Sequence, residues 1–162
     1  MEIIVNEEAR RKTPNLITIK DGERLFSDAA LSFSVKQPQH AFMHLVDLLG
    51  KDIDNPIVHL YRKRFPFMQI VPDEKRNTVQ FVNQNETYSV ESLVAMVLSN
   101  AQKIAESFAG QGVSGVVITV PAFFNQAERK AVRVAAQIAG LNLLQARFFL
   151  IFFSVYLIKL RG

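Results

Sequence analysis

Apolar residues fall along the chain in blocks whose period changes several times. "EIIV" at residues 2–5 and "NLITIK" at residues 15–20 are short β-branched runs, and Asp21–Gly22 after the second is a turn signal, so both predict strands. Ser27 is placed to cap a helix through "DAALSFSVKQ", which Pro38 ends. In "HAFMHLVDLLG", Phe42, Leu45, Leu48 and Leu49 share one helical face, and Gly50 is a helix C-terminal residue. Asn55–Pro56 opens a third short helix through "IVHLYRKR". The middle of the chain predicts sheet: "MQIV" and "TVQFVN" flank the polar turn "PDEKRN", and "TYSV" adds a third strand.

The longest helix is predicted from about Val90 to Phe108, with Leu93, Val97, Ala101, Ile104 and Phe108 in one stripe and Val94, Leu98 and Ala105 beside it. "GVVITVP" is a continuous apolar run, the kind of strand buried on both faces. Asn125 with Glu128 three residues later makes a capping box for a helix reaching Ala139, Gly140 ends it, and "LNLLQ" follows as a parallel strand. Helix, strand, helix, strand in that order predicts an α/β layer architecture. From Ala146 the pattern stops. Residues 148–158 contain one non-apolar residue, Ser154, in a run far short of the ~20 residues a spanning helix needs. With neither alternation nor caps, residues 146–162 predict an exposed apolar tail with no membrane span, an aggregation hazard.

At 162 residues the chain can bury one sizeable core, and 21% charged residues is the balance of a soluble domain. The net charge of +4 is mild, and Arg10–Arg11–Lys12 and Arg62–Lys63–Arg64 lack interleaved aromatic platforms, so both read as solvated faces and not as a nucleic-acid surface. Cysteine is absent, which excludes disulfides, cysteine nucleophiles and thiolate metal sites. "MEIIVNEEARRK" has no apolar signal core, so the chain as it stands is expected without a secretory signal, unplaced or cytosolic. Asn85-Glu86-Thr87 is a glycosylation sequon, with Asn85 the acceptor if the chain meets the secretory pathway.

Few residues assemble into chemistry. "GQGVSG" at residues 110–115 matches G-x-G-x-x-G, but a helix precedes it and a strand follows, the reverse of a dinucleotide turn. It reads as a flexible helix-to-strand turn. His40, His44 and Asp47 stand at helical spacing, yet no glutamate follows His40 as in H-E-x-x-H, so they read as surface or groove residues. Neither a G-x-S-x-G elbow nor a G-x-x-x-x-G-K-[ST] loop occurs.

One longer pattern does carry a resemblance. "VVITVPAFFNQAERKAVRVAAQIAGLNLLQ" has a strand ending in I-T-V-P, an aromatic pair with Asn, and a helix with Arg closing in A-G-L. "EIIVNEEARRKTPNLITIKDGERLFSDAA", "HLVDLLGK" and "SVESLVAMVLSNAQKIAESF" stand in matching order ahead of it. Together they resemble the heat shock protein 70 family over about residues 1–145, and "DNPIVHLYRKRFP" and "FFNQAER" resemble its large endoplasmic-reticulum branch.

The resemblance implies a partial actin-like (ribonuclease H-like) ATPase lobe I, with an outer subdomain over about residues 10–110 and a non-family tail from 146. It implies a parent that uses ATP and magnesium, holds unfolded client proteins and exchanges nucleotide on a lumenal partner chaperone in the endoplasmic reticulum. The family's first two strands and phosphate loop are expected before Met1, its second phosphate loop and adenosine pocket after the last residue. Without those two strands, central sheet edges are expected to stand unpaired. The family's catalytic lysine falls at Val46, which cannot orient water or stabilise a transferring phosphoryl group. Pro121 and Arg129 match the proline and arginine that relay nucleotide state in the family, whose acidic partner is expected just after Gln145, where the text diverges. Read without nucleotide, Pro121 is a strand-ending proline and Arg129 a solvated helix residue. A fragment with little activity and a nucleotide-independent protein-interaction module are the two readings carried forward, with a membrane-tethered fragment as a third.

Overall fold

Leu16–Lys20 forms β1 and turns back at Asp21–Gly22 into β2 (Glu23–Phe26). Both turn residues have positive φ, 50° and 81°, which is the backbone a two-residue hairpin demands and the reason for Asp-Gly there. The structure, a computed structural model, describes residues 4–113, 115–149 and 155–158. After β2 come α1 (Ser27–Lys36), β3 (Ala41–Met43), α2 (Leu45–Leu48) and α3 (Pro56–Arg64). The antiparallel meander β4 (Gln69–Asp73), β5 (Thr78–Asn83) and β6 (Glu86–Ser89) leads into α4 (Val90–Ala109). The chain continues through β7 (Gly115–Pro121), α5 (Gln126–Ile138), β8 (Asn142–Phe149) and β9 (Val155–Ile158).

These strands make three sheets, ordered β2-β1-β3, β4-β5-β6 and β8-β7-β9, in a mixed α/β arrangement. One apolar cluster runs through all three. It includes Ile17 and Phe42 of the first sheet, Ile70, Val79 and Phe81 of the second, and Val116, Ile118 and Val120 of the third, with helix residues between them. Aromatic edges join the first two sheets: the Phe42 and Phe81 rings meet edge to face at 5.2 Å, and Tyr61 of α3 lies 5.9 Å from Phe81. Buried Asn83 adds a polar tie, donating from Nδ2 to the Ile19 carbonyl at 2.9 Å while its Oδ1 meets His40 Nδ1 at 2.8 Å.

Several expectations need correction. The helix predicted from His40 is interrupted: Ala41–Met43 is β3, paired with β1 through Ile17↔Phe42, and His44 turns the chain with a φ of 55°. The strand partner outweighs the helical spacing, so His40 and His44 do not share a helix face. Ser27 is not the cap of α1. It is the first helical residue, and its buried hydroxyl accepts from Asn6 Nδ2 at 3.1 Å and donates to the Glu8 carboxylate at 2.8 Å. Of the strand expected over residues 2–5, Ile4 and Val5 are irregular, and the rest lies outside the described residues. β2 was not foreseen, because "ERLF" is too polar to signal a strand without its partner.

The largest correction concerns the end of the chain. β8 runs past Gln145 to Phe149, parallel to all of β7, and Val155–Ile158 pairs antiparallel with β7 on its other edge. Backbone expected to be a tail without strands therefore forms one and a half strands, and β7 has partners on both sides where unpaired edges were expected. The physical reason is the β7 backbone itself: its buried amides and carbonyls need partners, and the nearest β-prone chain supplies them. No helix among the described residues is long and apolar enough to cross a membrane.

Tyr61 gives the fold a testable pH response. Its ring is 5% exposed, its hydroxyl donates to the Met43 carbonyl at 3.0 Å, and burial pushes the phenol well above its ordinary range. Below about pH 10 the phenol is protonated in both states. Above that the unfolded chain ionises first, so the native state loses stability as pH rises. Tyr61→Phe should lower stability near neutral pH by about 1 kcal/mol, for the Met43 carbonyl left unpaired. The fall in melting temperature between about pH 8 and about pH 11 should be smaller than in the wild type. Equal alkaline slopes would remove Tyr61 as the cause.

Candidate functional site

The relay residues of the resemblance lie at the turn from β7 into α5. Pro121 ends β7, still opposite Phe149 of β8 but with no amide proton to give to the ladder. The turn closes through the Phe124 amide, which donates to the Pro121 carbonyl at 3.1 Å. Phe124 is buried in the shared core, while the neighbouring Phe123 is 81% exposed. Arg129, one turn into α5, donates from Nε to the Phe124 carbonyl at 2.9 Å. Pro121 and Arg129 are thus linked through the two backbone groups of one residue. Arg129 is half-buried, so its reading as a solvated side chain is corrected.

The capping box sits beside this path. Asn125 Oδ1 accepts from the Glu128 amide at 3.0 Å, and Glu128 Oε2 accepts from the Asn125 amide at 2.7 Å. The Glu128 carboxylate also takes an ion pair from Lys51 Nζ, with both side chains almost fully buried. Lys51 follows Gly50, whose φ is 65° and where a Cβ would come 2.8 Å from the Ala127 carbonyl carbon and oxygen. Only glycine lets this loop lie against the first turn of α5. The result is a clip between the Gly50–Lys51 loop and the β7–α5 turn, two segments that are distant in sequence. Sequence reasoning singled out Glu128 as a cap and Gly50 as a helix end, but missed Lys51. Its signal was the charged residue directly after the L-L-G of "HLVDLLGK".

Val46, at the position of the family's catalytic lysine, is half-buried and packs on the apolar cluster. It offers neither a donor nor a charge. The first turn of α5, which could otherwise attract an anion, is already taken up by the Asn125 side chain and the Glu128 carboxylate. Among the described residues no group of three His, Asp or Glu side chains is placed to hold a metal ion. His44 Nδ1 lies 3.9 Å from Asp47 Oδ2, and His40 is engaged by Asn83 instead. Among the described residues, this set does not fit ATP with magnesium. Gly110 ends α4 with a φ of 64°, and the loop after it is tied back by Glu106, which accepts from the Val113 amide at 2.9 Å. The "GQGVSG" segment is therefore a helix-to-strand turn among its described residues. Asn85 is exposed at the tip of the β5–β6 hairpin, where a sugar could be accommodated. Arg10 pairs with Asp28 at 3.0 Å, and Arg62, Lys63 and Arg64 are exposed on the last turn of α3.

The clip makes an ordered set of variants. Glu128→Ala removes the cap and leaves the Lys51 ammonium buried without its partner, and should cost about 3 kcal/mol or more. Lys51→Met should cost less, because Glu128 keeps the Asn125 amide and the helix N-terminus. Gly50→Ala should destabilise by more than the ~1 kcal/mol of an ordinary left-handed position, since the methyl meets backbone and not a movable side chain. Urea unfolding checks the order; equal losses for Glu128→Ala and Lys51→Met would show that the Glu128 cap adds nothing beyond the pair.

Residues 1–146 match the Hsp70 protein family model. The chain is similar to hypoxia up-regulated protein 1 of Xenopus laevis, with 53% identity over 146 residues that cover 90% of this chain and 23% of that protein. It is 53% identical to hypoxia up-regulated protein 1 of Gallus gallus and 47% identical to that of Homo sapiens, each over 90% of this chain and 15% of the relative. The chain spans less than a quarter of the length of these relatives. With nine-tenths of its residues inside the match, including Gly50, Pro121, Glu128 and Arg129, this chain belongs to the Hsp70 family.

Proposed function

We propose that the chain is part of lobe I of the ATPase domain of an ATP-driven Hsp70-family chaperone, and that these 162 residues by themselves neither bind nor hydrolyse ATP. The family match over residues 1–146, together with the apolar Val46 at the lysine position, is the observation that carries this reading. The parent then binds ATP and magnesium, holds unfolded client proteins, and exchanges nucleotide on a lumenal partner chaperone in the endoplasmic reticulum. Within it, Pro121 and Arg129 pass a change of nucleotide state to the lobe surface. The hydrogen bonds through Phe124 support that role, because a shift of Pro121 moves the carbonyl on which Arg129 rests.

A second reading keeps one observation in its favour. A single apolar cluster joins all three sheets, as a nucleotide-independent protein-interaction module would require. Such a module should unfold in one cooperative thermal transition, and a broad non-cooperative melt would exclude it.

Calorimetric titration of this chain with ATP and magnesium tests the first reading. No saturable heat is expected, and saturable micromolar binding would overturn it. In a full-length relative, alanine at the position matching Arg129 should leave ATP affinity unchanged while ATP no longer speeds client release. If client release stays normal, Arg129 serves only the turn.

A further inference from the structure

Asn85-Glu86-Thr87 is the only Asn-x-Ser/Thr triplet in the sequence, with threonine third and no proline between. The triplet alone is common by chance, and its placement is what distinguishes it. The Asn83↔Glu86 pairing closes the β5–β6 ladder, and Gln84 and Asn85 form the turn beyond it, Gln84 with a φ of 55°. Gln84, Asn85, Glu86 and Thr87 are all exposed. β6 is an edge strand of its sheet, so among the described residues no further strand flanks the tip on that side. Asn83, two residues earlier, shows the contrast. It is 6% exposed, and both ends of its amide are engaged, Nδ2 by the Ile19 carbonyl and Oδ1 by His40. Gln84 Nε2 donates to Asp21 Oδ1 at 3.2 Å, and the Glu86 carboxylate accepts from the Tyr88 hydroxyl. Among the described residues, neither the Asn85 amide nor the Thr87 hydroxyl has a side-chain partner. The neighbours hold the turn, and the two groups that the triplet needs stay free.

We propose that Asn85 is an N-glycosylation site, its co-substrate an oligosaccharide linked to a lipid pyrophosphate. The proposal rests on the lumenal location given above for the parent, since that is where the chain would meet such a donor. In the transfer, Asn85 Nδ2 bonds to the anomeric carbon of the oligosaccharide and gives up one amide proton. The bond from that carbon to the pyrophosphate oxygen breaks, and the lipid pyrophosphate leaves with both electrons. The sugar then projects from the hairpin tip into solvent, where a bulky polar group disturbs no contact of the fold. The same modification at Asn83 would break the tie between the first two sheets.

The test is translation of the full chain behind a cleavable secretory leader in the presence of microsomes. The leader-cleaved, protease-protected product is then compared before and after endoglycosidase treatment. The wild-type chain should run one glycan larger and return to its unmodified mass of 18.3 kDa on digestion. Asn85→Gln and Thr87→Ala should each abolish the shift, and Thr87→Ser, which keeps the hydroxyl, should restore it. Peptide mass analysis after enzymatic removal of the sugar should find Asn85 converted to aspartate. The glycosylated chain and Asn85→Gln should melt at the same temperature, because the amide has no partner to lose. Because the leader supplies entry to the lumen, a failure here counts against Asn85 and not against the proposed location of the parent. A wild-type product without the shift, or a shift that survives Asn85→Gln, would overturn the site. A lower melting temperature for the glycosylated chain would overturn the fit of the sugar to the folded turn.

Discussion

One helix has to satisfy two layers at once, and the rest of the fold is arranged around that demand. α4 contacts β1, β5, β6 and α2 on one side and α5 on another. Val90, Leu93, Val94, Leu98 and Ala105 are buried along it, and the same cluster takes in β7. Each fully buried aliphatic side chain contributes about 1.5–3 kcal/mol, so α4 commits much of its apolar surface to these neighbours. If α4 rotated to favour one layer, the other would lose its lining. Its ends are accordingly held: Ser89 accepts from the Ser92 amide at 3.0 Å at the start, and Gly110 turns left-handed at the finish. Glu106 and Gln102 then bind Val113, which sets where β7 can begin.

The clip at Gly50 and Lys51 answers a different need. α4 fixes the distance between layers, but a helix stripe tolerates sliding. A buried ion pair and a backbone approach that admits no Cβ do not. Val46 and Lys51 lie on the same short stretch, and Glu128 and Arg129 are neighbours on α5. Any movement of one segment is therefore felt at the other.

Legibility followed how local the cause was. The capping box at Asn125 and Glu128, the Asp21–Gly22 turn and the β4–β6 meander were readable because residues a few positions apart determine them. The stripe of α4 was read with its centre displaced: Phe108 is exposed, and the buried line passes through Val94, Leu98 and Ala105. β3 was read as helix because "AFM" carries the same apolar signal in either period, and only its pairing with Leu16–Thr18 decides. Lys51 was invisible for the same reason, since its partner lies 77 residues away. The family resemblance came from motifs, and it placed Pro121 and Arg129 in a region whose hydrogen bonds no motif could state.

The end of the chain shows the same rule at its limit. Read alone, residues 146–158 have no period, and lack of period predicts lack of regular structure. A strand buried on both sides does not need alternation, because neither face is reserved for water. β7 has that character, with Val116, Ile118 and Val120 buried on one face and Thr119 on the other. The extended backbone of residues 146–149 and 155–158 is thus a property of β7 more than of the segments themselves. An apolar tail remains a hazard when nothing nearby is short of hydrogen-bond partners, and it becomes a strand when a buried edge is.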